Sequence, residues 1–190
     1  DCQSITDHLL LQEKEFAFGI SLSHPHIAET YSLEEIEGCG RCIVMEYVDG
    51  MTLAEWITTT PSQSARQRVM MQLLDALEYI HSLQLVHHDL KSSNILITRN
   101  GLNVKLIDFG LSNTDSTSDN NNSTTDIQLL ANILTLLFPN RYRPIVRACQ
   151  QGTYANIAAL KQAFHRRQIW QKTIPYIVSA ICVILCSILS

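Results

Sequence analysis

The chain lacks a block of lysine and arginine outside its C-terminal end, and its net charge is −4. That balance supplies no electrostatic footprint for a nucleic-acid partner, and none is expected. Cys39-x-x-Cys42 has metal-like spacing, but no second Cys/His pair at zinc-finger spacing accompanies it. The cysteines (Cys2, Cys39, Cys42, Cys149, Cys182, Cys186) therefore read as reduced, structural thiols in a reducing compartment. Neither a signal-peptide pattern nor an internal repeat is present. The first residue is Asp1 and not Met, as processing or a start within a longer protein would leave it. What remains is ample for one globular domain with a real core: 190 residues, 46% of them hydrophobic.

The patterning alternates between helical and extended segments, which predicts an α+β fold. Residues 8–22 place Leu9, Leu10, Leu11, Phe16, Phe18 and Leu22 at roughly helical spacing, ending before His24-Pro25. Ile27–Ile36 and Arg41–Val48 read as two strands of a hairpin around Glu37-Gly38-Cys39-Gly40. Asp49-Gly50 is a turn signal, followed by a short helix at Leu53–Ile57. Ser62–Leu83 is the clearest helix, with Val69, Met70, Leu73, Leu74, Leu77 and Ile80 as its apolar stripe. Short strands follow at Ile95–Thr98 and Val104–Ile107, joined by Asn100-Gly101. Ser112–Thr125 is polar throughout and reads as a flexible loop. Asp126–Phe138 predicts a buried helix closed by Pro139, and one or two further helices fill Arg143–Phe164.

Ile174–Leu189 is apolar apart from Ser and Cys. At 1.5 Å per residue it spans about 24 Å, a little short of a hydrocarbon core of roughly 30 Å. Arg166, Arg167 and Lys172 precede it, with Trp170 and Tyr176 at its flank. The expectation is a membrane anchor whose basic side stays cytoplasmic; a buried terminal helix is the alternative.

The chemistry concentrates in His87-His88-Asp89-Leu90-Lys91-Ser92-Ser93-Asn94, with Leu106-Ile107-Asp108-Phe109-Gly110 a short distance downstream. The first segment resembles the catalytic loop of protein kinases, His-Arg-Asp-Leu-Lys-x-x-Asn, changed only at His88. The second is similar to the family's Asp-Phe-Gly. A lone Asp-Phe-Gly carries little weight; both motifs, in order and joined by strand–turn–strand, carry much. Phosphoryl transfer needs a group that orients the attacking hydroxyl and accepts its proton, and Asp89 stands at that position. Lys91 would balance charge on the transferred phosphoryl group. Asn94 and Asp108 offer the hard oxygens that magnesium prefers. A lysine at position 91 resembles the serine/threonine branch.

The resemblance covers roughly residues 8–165. It implies a two-lobe kinase-like fold. Residues 1–48 would be a partial β-rich N-lobe, residues 49–165 a mainly helical C-lobe with a minimal activation segment, and residues 166–190 a basic juxtamembrane segment and membrane-spanning helix. Glu15, with Glu13 as competitor, matches the helical Glu that pairs with the family's phosphate-gripping lysine. Ile43-Val44-Met45-Glu46-Tyr47-Val48 resembles the strand running into the hinge. Met45 would be the gatekeeper there, and the backbone of Glu46 and Val48 would bind adenine. Leu96 matches the residue beneath the adenine ring. His87, Phe109 and Asp126 match structural positions, Asp126 as the aspartate bracing the catalytic loop. ATP and Mg2+ are the implied cofactors, and a protein hydroxyl the implied acceptor.

Departures from the family pattern shape the expectation. No Gly-rich loop and no Val-Ala-x-Lys is present, so this chain alone is expected to show little activity. His88 replaces the arginine that answers to a phosphorylated activation loop, and a mostly neutral imidazole lacks the bidentate fork. Activation-loop phosphorylation is therefore not expected to switch the protein. Asp108 and Asp126 are close in sequence, with no Ala-Pro-Glu between them. Gly19 falls where an apolar side chain usually completes the hydrophobic spine. The expected function is a membrane-anchored Ser/Thr-type protein kinase, with a pseudokinase serving as nucleotide-binding or scaffolding module as the alternative.

Overall fold

Residues 2–109, 122–170 and 173 are described by a computed structural model. The first helix, α1 (Cys2–Ile20), starts earlier than the apolar spacing indicates. Its end is set by sequence: the amides of Ser21 and Leu22 bond back to Phe18 and Gly19 at 3.2 and 3.1 Å, and Pro25 forbids continuation. An antiparallel hairpin follows, β1 (Thr30–Ile36) and β2 (Gly40–Met45). Gly38 and Gly40 take φ of 82° and 77° in and beside its turn, a region side chains resist. The hairpin is fastened to α1 by Arg41, which donates to Glu13 at 2.7 Å while its carbonyl accepts from Gln12 at 3.3 Å.

Both expected strands are shorter than their apolar runs. Residues 26–28 leave the hairpin to lie along the second sheet: Leu106 donates to His26 at 2.9 Å and accepts from Ala28 at 3.0 Å. At the other end Glu46 still donates to Glu29 at 2.7 Å, after which the chain departs toward Asp49-Gly50.

The second sheet has the order β3-β4-β5, antiparallel, from β3 (Gly50–Thr52), β4 (Ile95–Thr98) and β5 (Val104–Leu106). β3 has no apolar signature because it is three residues long and opens with a glycine. A Cβ on Gly50 would come within 2.4 Å of the Ile97 carbonyl, so the strand approaches this closely only without a side chain.

α2 (Leu53–Thr58) begins in a capping box: Thr52 Oγ1 accepts from Glu55 at 3.2 Å and Glu55 returns to the Thr52 amide at 2.9 Å. α3 (Gln63–Ser82) is capped by Ser62 and buries its whole apolar stripe. Buried Gln72 in α3 accepts from the Val104 amide at 2.8 Å, tying that helix to β5.

α4 (Asn122–Leu137) starts ahead of the expected Asp126, because the Ser/Thr/Asn residues read as loop also suit a helix's first turn. The rest of that polar loop, up to residue 121, lies outside the described residues. α5 (Arg143–Gln150) and α6, over residues 157–170, complete the helical part. Phe138, Tyr142 and Phe164 lock α4, α5 and α6 together with ring centroids 4.6 to 5.8 Å apart. No helix among the described residues is long and apolar enough to cross a membrane; the expected anchor, 174–189, lies outside them.

Candidate active site

The loop between α3 and β4 is positioned from beneath by one carboxylate. Asp126, fully buried on α4, accepts from the His87 amide at 2.9 Å and the His88 amide at 3.0 Å. His81 Nε2 lies 2.8 Å from the same group. Two successive amides converge on one carboxylate only if the chain kinks, and His88 accordingly takes φ of 64°. Burial alone would push the Asp126 carboxyl up, but the hydrogen bonds from His81 and the His87 amide hold it below its ordinary value.

From that kink the loop presents Asp89 half-exposed. Its Oδ2 accepts from Lys91 Nζ at 2.5 Å and from Asn94 Nδ2 at 2.9 Å. Asn94 Nδ2 also donates to the Asp89 carbonyl at 3.0 Å, so the amide nitrogen is committed to Asp89. Its Oδ1 faces elsewhere, meeting only Ser93 Oγ at 3.2 Å. Asn94 also accepts, through its carbonyl, from the Ile107 amide at 3.0 Å, which brings the following residue, Asp108, beside it. Asp108 sits at φ 53°, a left-handed conformation that costs a non-glycine residue roughly 1 kcal/mol or more. The structure thus gathers Asp89, Lys91, Asn94 and Asp108 at one edge of the second sheet.

Glu15 of α1 faces the same place. Its carboxyl is pushed up first by burial and then by the charge of Asp108. Glu13, the competing candidate, is half-exposed and already paired with Arg41 at 2.7 Å. Among the described residues neither Glu15 nor Asp108 takes part in an ion pair. The Asp108 carboxylate and the Asn94 amide oxygen are hard donors of the kind magnesium takes when it is shared with phosphate oxygens. No group of three or more His, Cys, Asp or Glu side chains gathers for a metal among the described residues.

Behind these polar groups runs a stack of rings. Phe109 lies 4.7 Å from Phe18 of α1 and 4.9 Å from His87, centroid to centroid. His87 is wholly buried with no hydrogen bond to either ring nitrogen, and burial lowers its pKa, so it acts as a neutral apolar ring. The gap expected at Gly19 does not exist. Phe18, one residue earlier, fills the stack, and Gly19 faces Thr30 instead, where a Cβ would meet Oγ1 at 2.4 Å.

The residues expected around adenine lie along the hinge. Met45 ends β2 half-buried, and Val48 is half-buried two residues before β3. The Glu46 amide is used on Glu29, so only its carbonyl is free to face a base. Its carboxylate accepts from Lys105 Nζ at 2.7 Å and from the Glu29 amide at 3.2 Å. Leu96 pairs in register with Thr52 on one side and Lys105 on the other, which places it beside the Glu46–Lys105 contact.

Cys39, Cys42 and Cys149 are free thiols, and burial pushes Cys149 up to about 12. Three participants carry no motif: His81, Phe18 and Lys105. His81 was detectable, since it borders the apolar stripe one turn after Leu77, where a polar ring needs a buried partner. Phe18 was visible only as one apolar position of the first helix, and nothing local marks Lys105.

The protein kinase domain family matches residues 5–132. The chain is 43% identical over 93 residues to the serine/threonine-protein kinase PrkC of Bacillus subtilis, covering 48% of this chain and 14% of that protein. It is 37% identical over 116 residues to the serine/threonine-protein kinase ppk25 of Schizosaccharomyces pombe, covering 60% of this chain and 27% of that protein. The chain therefore spans well under two thirds of these curated relatives. The kinase domain of Mycobacterium tuberculosis PknI has the same fold, with a TM-score of 0.64 at 19% identity, covering 82% of this chain and 77% of that one. With the matched stretch taking in most of α1, both sheets and the loop braced by Asp126, the chain belongs to the protein kinase domain family.

Proposed function

We propose that the chain carries the catalytic centre of a serine/threonine protein kinase that moves the γ-phosphoryl group of ATP to a protein hydroxyl. The observation that supports it best is the single cluster of Asp89, Lys91, Asn94 and Asp108. Asp89, half-exposed and fixed by Asn94, is placed to orient an incoming hydroxyl and to take its proton late. Lys91 is more than half exposed and can leave Asp89 to offset charge on the group in transfer. Asn94 Oδ1 and the Asp108 carboxylate would hold magnesium. Bound there with ATP, the ion supplies positive charge between phosphate oxygens. Met45, Val48, Leu96 and the Glu46 carbonyl would enclose adenine.

The chain is further proposed to be held at a membrane by residues 174–189, with the kinase core on the cytoplasmic side, as Arg166, Arg167 and Lys172 favour.

The uncompensated Glu15–Asp108 pair also favours a second reading. Among the described residues no lysine or arginine pairs with either carboxylate. A pseudokinase that binds nucleotide without turnover fits that feature. Magnesium-dependent ATP binding, measured by calorimetry on the longest natural form of the protein, tests the shared part. Asp108→Asn is expected to weaken binding about tenfold or more in magnesium and hardly at all in EDTA. Equal binding by both proteins in magnesium would remove the metal assignment. Binding without turnover would move the assignment to the second reading.

A further inference from the structure

Charge is divided along this chain. All 18 acidic residues lie at or before Asp126, while half of the 14 Lys and Arg follow it. Residues 127–190 thus carry positive charges alone. Lys161 is neutralised by Asp75, at 2.6 Å, and by Glu78. Arg141, Arg143, Arg147, Arg166 and Arg167 are all exposed, and among the described residues none is in an ion pair.

These five arginines lie on or immediately beside α5 and α6. Arg143 and Arg147 stand one turn apart on α5. Arg166 and Arg167 follow Phe164 on α6, and Phe164 stacks on Tyr142 at 4.6 Å, immediately before Arg143. Burial raises the Tyr142 phenol, while its hydrogen bond from Gln67 and then the charges of Arg141 and Arg167 pull it back, so both arginines act on one phenol. Beyond them Ile169 and Trp170 are 47% and 64% exposed. The sequence then continues through Lys172 into the uncharged run 174–189.

We propose that this arginine face docks on an anionic lipid bilayer and lays the α5–α6 end of the kinase core against the headgroups. It rests on the membrane-anchored reading for the nearness of the bilayer, and goes beyond it by assigning a lipid-charge-dependent contact to the core. Nucleic acid would satisfy the arginines equally. It would have no use for an exposed Ile169–Trp170 pair leading into an apolar run, whereas an indole at headgroup level suits a bilayer. Each basic side chain near an anionic leaflet improves partitioning about fivefold. That attraction is screened within about 8 Å at physiological salt.

The experiment places the full chain in bilayers of neutral phosphatidylcholine, or of the same lipid with about one-third phosphatidylserine. Hydrogen exchange is read over residues 143–150, a helix distant in sequence from the apolar run. Exchange there is expected to be at least about fivefold slower in the anionic bilayer. The difference is expected to vanish in Arg143→Glu/Arg147→Glu and at roughly 1 M salt. Identical exchange of the wild-type chain in the two bilayers overturns the proposal without any variant. So does protection by an RNA oligonucleotide but not by the anionic bilayer. Vesicle association reports the anchor separately. Binding to neutral vesicles without α5 protection keeps the anchor and sinks the docking face; binding to anionic vesicles alone does the reverse.

Discussion

Asp126 shows how one side chain can set the shape of a site it does not line. Its carboxylate is buried, accepts two consecutive loop amides and meets His81 at 2.8 Å. Replacing it with Asn removes the charge and turns an NH2 group toward donors. Asp126→Asn is expected to cost about 3 kcal/mol, the scale of charged hydrogen bonds lost at a buried site. Because its folded pKa is depressed, this group's contribution is full above the unfolded value of about 3.9 and fades as pH falls through the folded value. Urea titrations at pH 7 and pH 3 should therefore show wild type and variant converging in acid. A gap that stays constant with pH would mean that Asp126 does not act as a charged acceptor. His87 has the opposite character: it is buried as a neutral ring between Phe109 and the loop.

At the scale of elements, α1 connects the hairpin to the loop after α3 through Phe18, Phe109 and His87, and Gly19 lets it approach β1 at Thr30. Gly19→Ala is expected to destabilise the protein by about 1–2 kcal/mol: overpacking against Oγ1 outweighs the helix propensity gained. In a Thr30→Ala background the same change should be neutral or stabilising, a coupling that a double-mutant cycle measures. Additive effects would place the helix elsewhere.

The strongest pattern was legible in the sequence: the α3 stripe from Val69 to Ile80 is buried as its period indicated, and α1 and the hairpin form where expected, with an earlier helix start and shorter strands. The catalytic-loop motif identified the family because its residue types and spacing are dictated by chemistry. Other features were hidden because their cause is not local. β3 exists through Gly50 lying against the Ile97 backbone. The strand from Ile27 was cut short by pairing with Leu106, and Phe18 took the place assigned to position 19 because helix rotation, and not residue count, decides what meets Phe109.

At the scale of the whole molecule, an acidic stretch carrying the loop and both sheets is joined to a basic α5–α6 end and an uncharged terminal run. The anchored reading predicts that deleting residues 174–190 moves the protein from the membrane pellet to the supernatant after ultracentrifugation. An intact chain that is already soluble and monomeric would contradict it. The central claim is that Asp89 works within a kinase active site, and its test is phosphoryl transfer from γ-labelled ATP to a protein acceptor. Measured on the longest natural form of the protein, wild type is expected to exceed Asp89→Ala by about 10²–10⁴-fold, with magnesium-dependent ATP binding preserved in both. Equal transfer by wild type and Asp89→Ala would contradict the account.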